Sequence, residues 1–228
     1  MPPKVVILNA VKNPRISPVA PLLFALLCLY VPLARAQAPQ DLIHRVDDHY
    51  NHLRTLRAHY TEHYTGMGLD RTETGTLTLK KPGLMRWSYD NPPGKVFVLD
   101  GHFGWFYTPG DAQVSRTPAK QLDDLRSPLR FLLGHTQLAK ELDQLTTQPD
   151  GANFRITGIP KGMAQRVRQL SLTVSPVGII QGMQIEETGG AITAFAFSQI
   201  EENAVIPASD FTFTTPKGIS VVDGQSPI

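Results

Sequence analysis

Apolar positions along this chain keep two different periods. In "DLIHRVDDHYNHLRTLRAHY" (41–60), Leu42, Ile43, Val46, Tyr50, Leu53 and Leu56 recur at spacings of three and four, which predicts an amphipathic helix. Asp41, just before the first apolar residue, is the expected N-cap. The helix is predicted to fade after Leu56, where β-favouring Tyr and Thr take over. From Thr72 the period drops to two. Leu77 and Leu79 share one face of "TGTLTLKK"; Met85, Trp87 and Tyr89 share one face of "LMRWSY", with Arg86 and Ser88 opposite. Lys81-Pro82-Gly83, Asn91-Pro92-Pro93-Gly94, Asp100-Gly101 and Pro109-Gly110-Asp111 punctuate these segments as turns, and "KVFVLDGHFGWFYTPGDAQVSR" reads as three more strands.

A helical period returns over 119–145. Ser127 and Pro128 suit the start of a short helix, Leu129, Leu132 and Leu133 form its apolar face, and Gly134 ends it. Alternation then resumes in "NFRITGI", "RVRQLSLTVSP", "IIQGMQIEET", "AITAFAFSQIEE" and "DFTFTTP". The sum is about ten or eleven strands, an N-terminal helix and a mid-chain helical insert. An antiparallel sheet of this size must curl, and two helical pieces cannot cover both of its faces. The predicted class is therefore mainly β (α+β): an unclosed antiparallel half-barrel with a helical lid.

The first 36 residues follow another logic. Their charges, Lys4, Lys12, Arg15 and Arg35, are all positive, and an apolar run (19–34) leads into "ARAQA". That order reads as a secretory signal peptide cleaved after Ala36, leaving 37–228 as one domain. Four of the 22 Lys and Arg and none of the 20 Asp and Glu fall in the leader, so the remainder carries 18 basic against 20 acidic groups and a net charge of −2. Such a chain lacks the clustered basic face of a nucleic-acid binder. The single cysteine, Cys28, would leave with the leader. A lipidation site would need a small residue before it, and Leu27 is bulky.

One stretch invites a catalytic reading. "HYTEHY" (59–64) spells H-x-x-E-H, with Glu141 78 positions after His63 as a possible third zinc ligand. Zinc chemistry needs His59 and His63 on one helix face with Glu62 beside them. Tyr60, Thr61 and Tyr64 favour strand instead, which would set Glu62 on the face opposite both histidines. The chain contains no Gly-x-Ser-x-Gly, P-loop or dinucleotide fingerprint, and its adjacent carboxylate pairs (Asp47-Asp48, Asp123-Asp124, Glu186-Glu187, Glu201-Glu202) read as solvated surface.

"LKKPGLMRWSY" (79–89), "PPGKVFVLDGHFGWFYTPGDAQV" (92–114), "SPLRFLLG" (127–134) and "FTFTTPKGISVVD" (211–223), taken in order, resemble the LolA family of periplasmic lipoprotein carriers. The resemblance implies a half-barrel cavity under a lid that holds lipoprotein acyl chains, with no catalytic residue and no cofactor. It implies as partners an inner-membrane ATP-driven release complex and an outer-membrane acceptor, with the protein itself a monomer in the periplasm. On this chain the implied cavity and lid residues are Tyr60, Leu77, Leu79, Met85, Trp87, Tyr89, Val98, Leu129, Leu132 and Leu133. Lys81 stands where the family carries an Arg that holds the lid shut, and a lysine cannot reproduce that planar fork. Lipid sensors and lipidated acceptors share the fold; the acceptor reading requires a lipidated Cys28.

Overall fold

Residues 39–122 and 137–224 are described by the computed structural model. Helix α1 runs over Pro39–His52. Its buried stripe is Leu42, Val46 and Tyr50, continued beyond the helix by Leu53. The helix starts before Asp41, which lies in the first turn, where its charge still favours the helix N-terminus. It also ends earlier than the periodicity predicts. Leu53 and Leu56 keep the helical spacing but belong to the entry into the first strand.

Twelve strands follow among the described residues: β1 (Thr55–Gly66), β2 (Leu69–Lys80), β3 (Leu84–Asn91), β4 (Val96–Asp100), β5 (Phe103–Tyr107), β6 (Gln113–Pro118), β7 (Leu142–Asp150), β8 (Asn153–Pro160), β9 (Val167–Val174), β10 (Ile180–Glu187), β11 (Ile192–Glu202) and β12 (Ser220–Asp223). They form one sheet in the order β12-β6-β5-β4-β3-β2-β1-β11-β10-β9-β8-β7. Every pairing is antiparallel except β12 against β6, which is parallel. The order is open: β12 and β7 are its two ends, so the sheet is unclosed. Strand β1 joins the two halves of the sheet, flanked by the β2–β6 wing on one side and the β11–β7 wing on the other.

Two regions depart from the periodic reading. Of 119–145, Ala119–Gln121 is a 3-10 turn, Leu138–Glu141 is a single helical turn, α2, and β7 already begins at Leu142. The predicted strand "DFTFTTP" does not form. Ala208–Phe211 is a 3-10 turn lying against β3 and β4, and Phe213 stacks on Trp105 with centroids 5.5 Å apart. The alternating phenylalanines pack on the sheet without joining its ladder. The expected leader (1–36) and the lid leucines Leu129, Leu132 and Leu133 lie outside the described residues.

The sheet has an inner and an outer face. The inner face packs on α1 and holds the main core, which draws side chains from α1, both wings and β1. The outer face of the central strands is wet, with His59, Thr61 and His63 exposed. Over β3–β5 the outer face is covered by the C-terminal segment. Lys80 donates to the Ile206 carbonyl (2.8 Å), Arg86 to that of Asp210 (3.2 Å), and the Thr55 hydroxyl to that of Ala204 (2.7 Å). No helix among the described residues is long and apolar enough to cross a membrane.

Candidate ligand-binding site

Strand registers set the inner face out in rows. Leu56 of β1 faces Leu79, which faces Met85, which faces Leu99. The next row is Ala58, Leu77, Trp87 and Phe97. The third is Tyr60, Gly75 and Tyr89, and the fourth opens with Glu62 opposite Glu73. Along one face of the same strands the lining therefore passes from aliphatic to aromatic to tyrosine to carboxylate. On the other wing Phe197 faces Tyr60 and Phe195 faces Glu62. Beyond them Met183, Leu172 and Ile156 continue the Phe195 row across β10, β9 and β8.

The expected residues Tyr60, Leu77, Leu79, Met85 and Trp87 are all brought together here and buried, and Tyr89 packs against them. Val98 is a correction. It pairs with Arg86 and Trp105 on the outer face, while its neighbours Phe97 and Leu99 point inward. It is fully buried because β4 is covered on both faces. Sequence reasoning missed Phe97, Phe195 and Phe197 as lining residues, although the alternation of "AFAF" (194–197) marks the last two.

Five aromatic side chains form one cluster. Tyr60 meets Trp87 edge-on at 4.8 Å and Tyr89 at 5.5 Å, Trp87 lies 5.2 Å from Phe195, and Phe195 stacks on Phe197 at 6.2 Å. The Trp87 indole N–H, which burial would otherwise leave unpaired, donates to the Met85 sulfur at 3.1 Å. The Tyr60 ring lies over Gly75. A Cβ there would meet the Ser88 carbonyl oxygen at 2.1 Å and the Tyr60 hydroxyl at 2.7 Å, so only a glycine admits the ring.

At the polar end, Lys95 donates to Glu73 (2.5 Å), with its ammonium 4.2 Å from the Tyr89 ring centroid. Arg71 approaches Glu73 at 3.7 Å. Glu62, Glu73 and Lys95 are all buried. Burial, reinforced by the neighbouring Glu73 charge, pushes the Glu62 carboxyl above the usual carboxylate range, against the opposing pull of Lys95 and Arg71. Burial likewise pushes the Tyr60 and Tyr89 hydroxyls upward, with Glu62 and Glu73 adding to it; both stay protonated throughout the physiological range.

Helix α1 closes the aliphatic end. Between Tyr50, Leu56, Leu77, Ile180 and Phe197 only a void of about 10 Å³ remains, about the size of one water at most. A larger open groove of about 860 Å³ lies against Thr173, Gly182, Ala196 and Ser198. These residues share the outer register of Thr61 and His59, while Phe195 and Phe197, which also line the groove, belong to the inner rows, so the groove runs along β10 and β11 and touches residues of both faces. We take the inner rows as the candidate site on chemistry, despite their smaller void.

Residues 51–214 match the family described as "Outer membrane lipoprotein carrier protein LolA". The chain belongs to the LolA family. A protein of Photorhabdus laumondii named "Outer-membrane lipoprotein carrier protein" is 30% identical to it, over 85% of this chain and 91% of the relative. One of the same name from Nitrosospira multiformis is 28% identical, over 74% of this chain and 82% of the relative. Among solved structures, a DUF1329 family protein from Desulfovibrio piger superposes with a TM-score of 0.50 at 16% identity, covering 75% of this chain and 95% of that one. That likeness speaks for the fold alone.

Within this LolA-family sheet, Lys81 follows the end of β2. Its ammonium donates to the Tyr50 carbonyl at 2.5 Å, one of the last-turn carbonyls that α1 cannot satisfy itself. Partial burial lowers its pKa. The described contact thus ties Lys81 to α1. The H-x-x-E-H stretch lies within β1: His59 and His63 are exposed on the outer face and Glu62 is buried on the inner one. The carboxylate and the two imidazoles cannot share a metal or a water across the sheet. Among the described residues no three His, Cys, Asp or Glu side chains converge on a metal position.

Proposed function

We propose that this protein is a periplasmic carrier that shields the acyl chains of lipoproteins between the inner and the outer membrane, and that it is not an enzyme. The observation that carries this reading is the inner face itself: rows of aliphatic and aromatic side chains drawn from both wings, in a chain of the LolA family. Burying one CH₂ contributes about 0.8 kcal/mol, so a chain of about 16 carbons costs roughly 12 kcal/mol to hold in water. A carrier must cover that surface, then release it to an acceptor that covers it better. Rows containing Met85, Trp87 and Phe197 suit this, because a methionine adapts to varied chains and aromatic rings give broad, direction-tolerant contact.

In this reading α1 occupies the cavity floor when no cargo is bound, and acyl chains replace its contacts. Lys81 helps fasten α1 in the closed arrangement, with the Leu129, Leu132 and Leu133 face as lid. The donor is an ATP-driven inner-membrane release complex and the recipient an outer-membrane acceptor, with the cleaved leader delivering the protein to the periplasm. Incubating the purified protein with inner-membrane vesicles and ATP tests the reading. Lipoprotein should appear in the soluble fraction in complex with it, and Leu77→Asp should abolish this. Lipoprotein that stays with the vesicles while a known carrier releases it would refute the proposal.

A further inference from the structure

An apolar cavity for hydrocarbon has no use for what lies on the fourth row. Glu73 is satisfied by Lys95 and Arg71. Glu62 is not: its one described hydrogen bond comes from the Tyr89 hydroxyl at a long 3.4 Å. Two positions back on the same strand face, the Tyr60 hydroxyl is wholly buried in a residue only 2% exposed, and it approaches the Tyr89 hydroxyl without forming a hydrogen bond of good geometry. It cannot swing to water, since Trp87, Tyr89 and Phe195 surround its ring and Gly75 lies beneath it. Buried polar groups are normally paired, and an orphan in a native site asks for a partner. Here a buried donor with no well-aligned partner and a half-satisfied acceptor adjoin each other where the hydrocarbon rows end.

We propose that Tyr60 and Glu62 form a polar subsite for a secondary amide at the head of an acyl chain, the Tyr60 hydroxyl donating to the amide carbonyl and Glu62 accepting the amide N–H. This rests on the acyl-chain reading above and sharpens it to amide-linked chains. A trans amide presents its acceptor and donor on opposite sides, so it can bridge groups set two strand positions, about 6.6 Å, apart. An ester offers only the carbonyl and leaves Glu62 unanswered. Tyr89 steadies the Glu62 carboxyl, and the Lys95–Glu73 pair beside it keeps the added charge compensated.

The test is displacement of an apolar fluorescent dye from the purified protein by two matched lipids, N-lauroylglycine methyl ester and its analogue with oxygen in place of the amide N–H. The amide should compete roughly tenfold better, because a site built to accept an N–H discriminates against the compound that lacks it. Glu62→Gln should shrink that preference several-fold, while Tyr60→Phe should weaken both lipids and keep the preference. Equal competition by the two lipids in the unaltered protein overturns the subsite and leaves the carrier reading intact. So does a preference that both substitutions leave untouched. If neither lipid displaces the dye, the acyl-chain reading falls and the subsite with it. The comparison in the unaltered protein needs no variant, so a substitution that fails to fold does not blunt it.

Discussion

The two ends of the inner face are built on the same strands and solve opposite problems. At one end Leu56, Leu79, Met85 and Leu99 pack beneath α1 with nothing polar to satisfy. At the other, Glu62, Glu73 and Lys95 are also buried, though slightly less deeply, and depend on one another. The first kind of row stabilises the fold by removing hydrocarbon from water. The second costs desolvation that the Coulombic gain only partly offsets, and folds retain such groups where specificity or function needs them. Three steps along a strand separate the two.

The contrast is broken most directly at its charged end. Lys95→Met leaves Glu73 and Glu62 buried with one cation fewer, and should cost about 4 kcal/mol in urea unfolding. Adding Glu73→Gln to that variant should recover most of the loss. A neutral Lys95→Met would mean that the row is wetter than its burial implies. At the aliphatic end Leu79→Ala should cost about 3 kcal/mol, through lost transfer energy and the cavity left behind, with no rescue by any charge change. Between the two, Gly75→Ala forces a methyl onto the Ser88 carbonyl and the Tyr60 ring. A loss of about 2 kcal/mol and an altered near-UV signal from the aromatic cluster are expected. Lys81→Met removes one hydrogen bond to the end of α1, and should cost about 1 kcal/mol with faster amide exchange confined to the last turn of that helix.

The smallest effect has the opposite sign. The folded-state pKa of Glu62 lies above its unfolded value, so the folded protein binds the extra proton, and Glu62 lowers stability at pH values above its folded pKa. That penalty fades as pH falls through the folded pKa towards the ordinary carboxylate value. The groups facing Glu62 are Glu73 and Arg71 on β2, Tyr89 on β3, Lys95 just before β4, and Phe195 on β11. Glu62→Gln should therefore raise the melting temperature slightly at pH 8 and lose that advantage by about pH 4, below the ordinary carboxylate value. An equal difference at both pH values would show that the carboxyl is not perturbed.

Much of this fold can be read from alternation alone, because most strands have one wet and one dry face. Leu77, Leu79, Met85, Trp87 and Tyr60 were identifiable for that reason. Val98 was not, since Val96, Phe97, Val98 and Leu99 are all apolar, and a strand covered on both faces has no period. The segment 210–215 misled for the converse reason: Phe211 and Phe213 alternate while packing on the outer face with no strand partner. The end of α1 was hidden because Leu53 and Leu56 satisfy helical and strand roles equally well. Lys95 and Glu73 meet only through the β2–β3–β4 register, and no local signal in the sequence announces a contact across two turns.

Tyr50 gives the open sheet its mechanics. Its carbonyl accepts from Lys81 beside the β2–β3 turn, and its hydroxyl accepts from the Ile180 amide of β10 at 3.0 Å, so one residue is pinned to both wings. A sheet with two unjoined ends has no ladder of its own to fix the distance between them. The two hydrogen bonds of Tyr50 supply such a tie. In the proposed carrier cycle, a guest that lifted α1 would withdraw both attachments in one displacement and free the wings together rather than in turn.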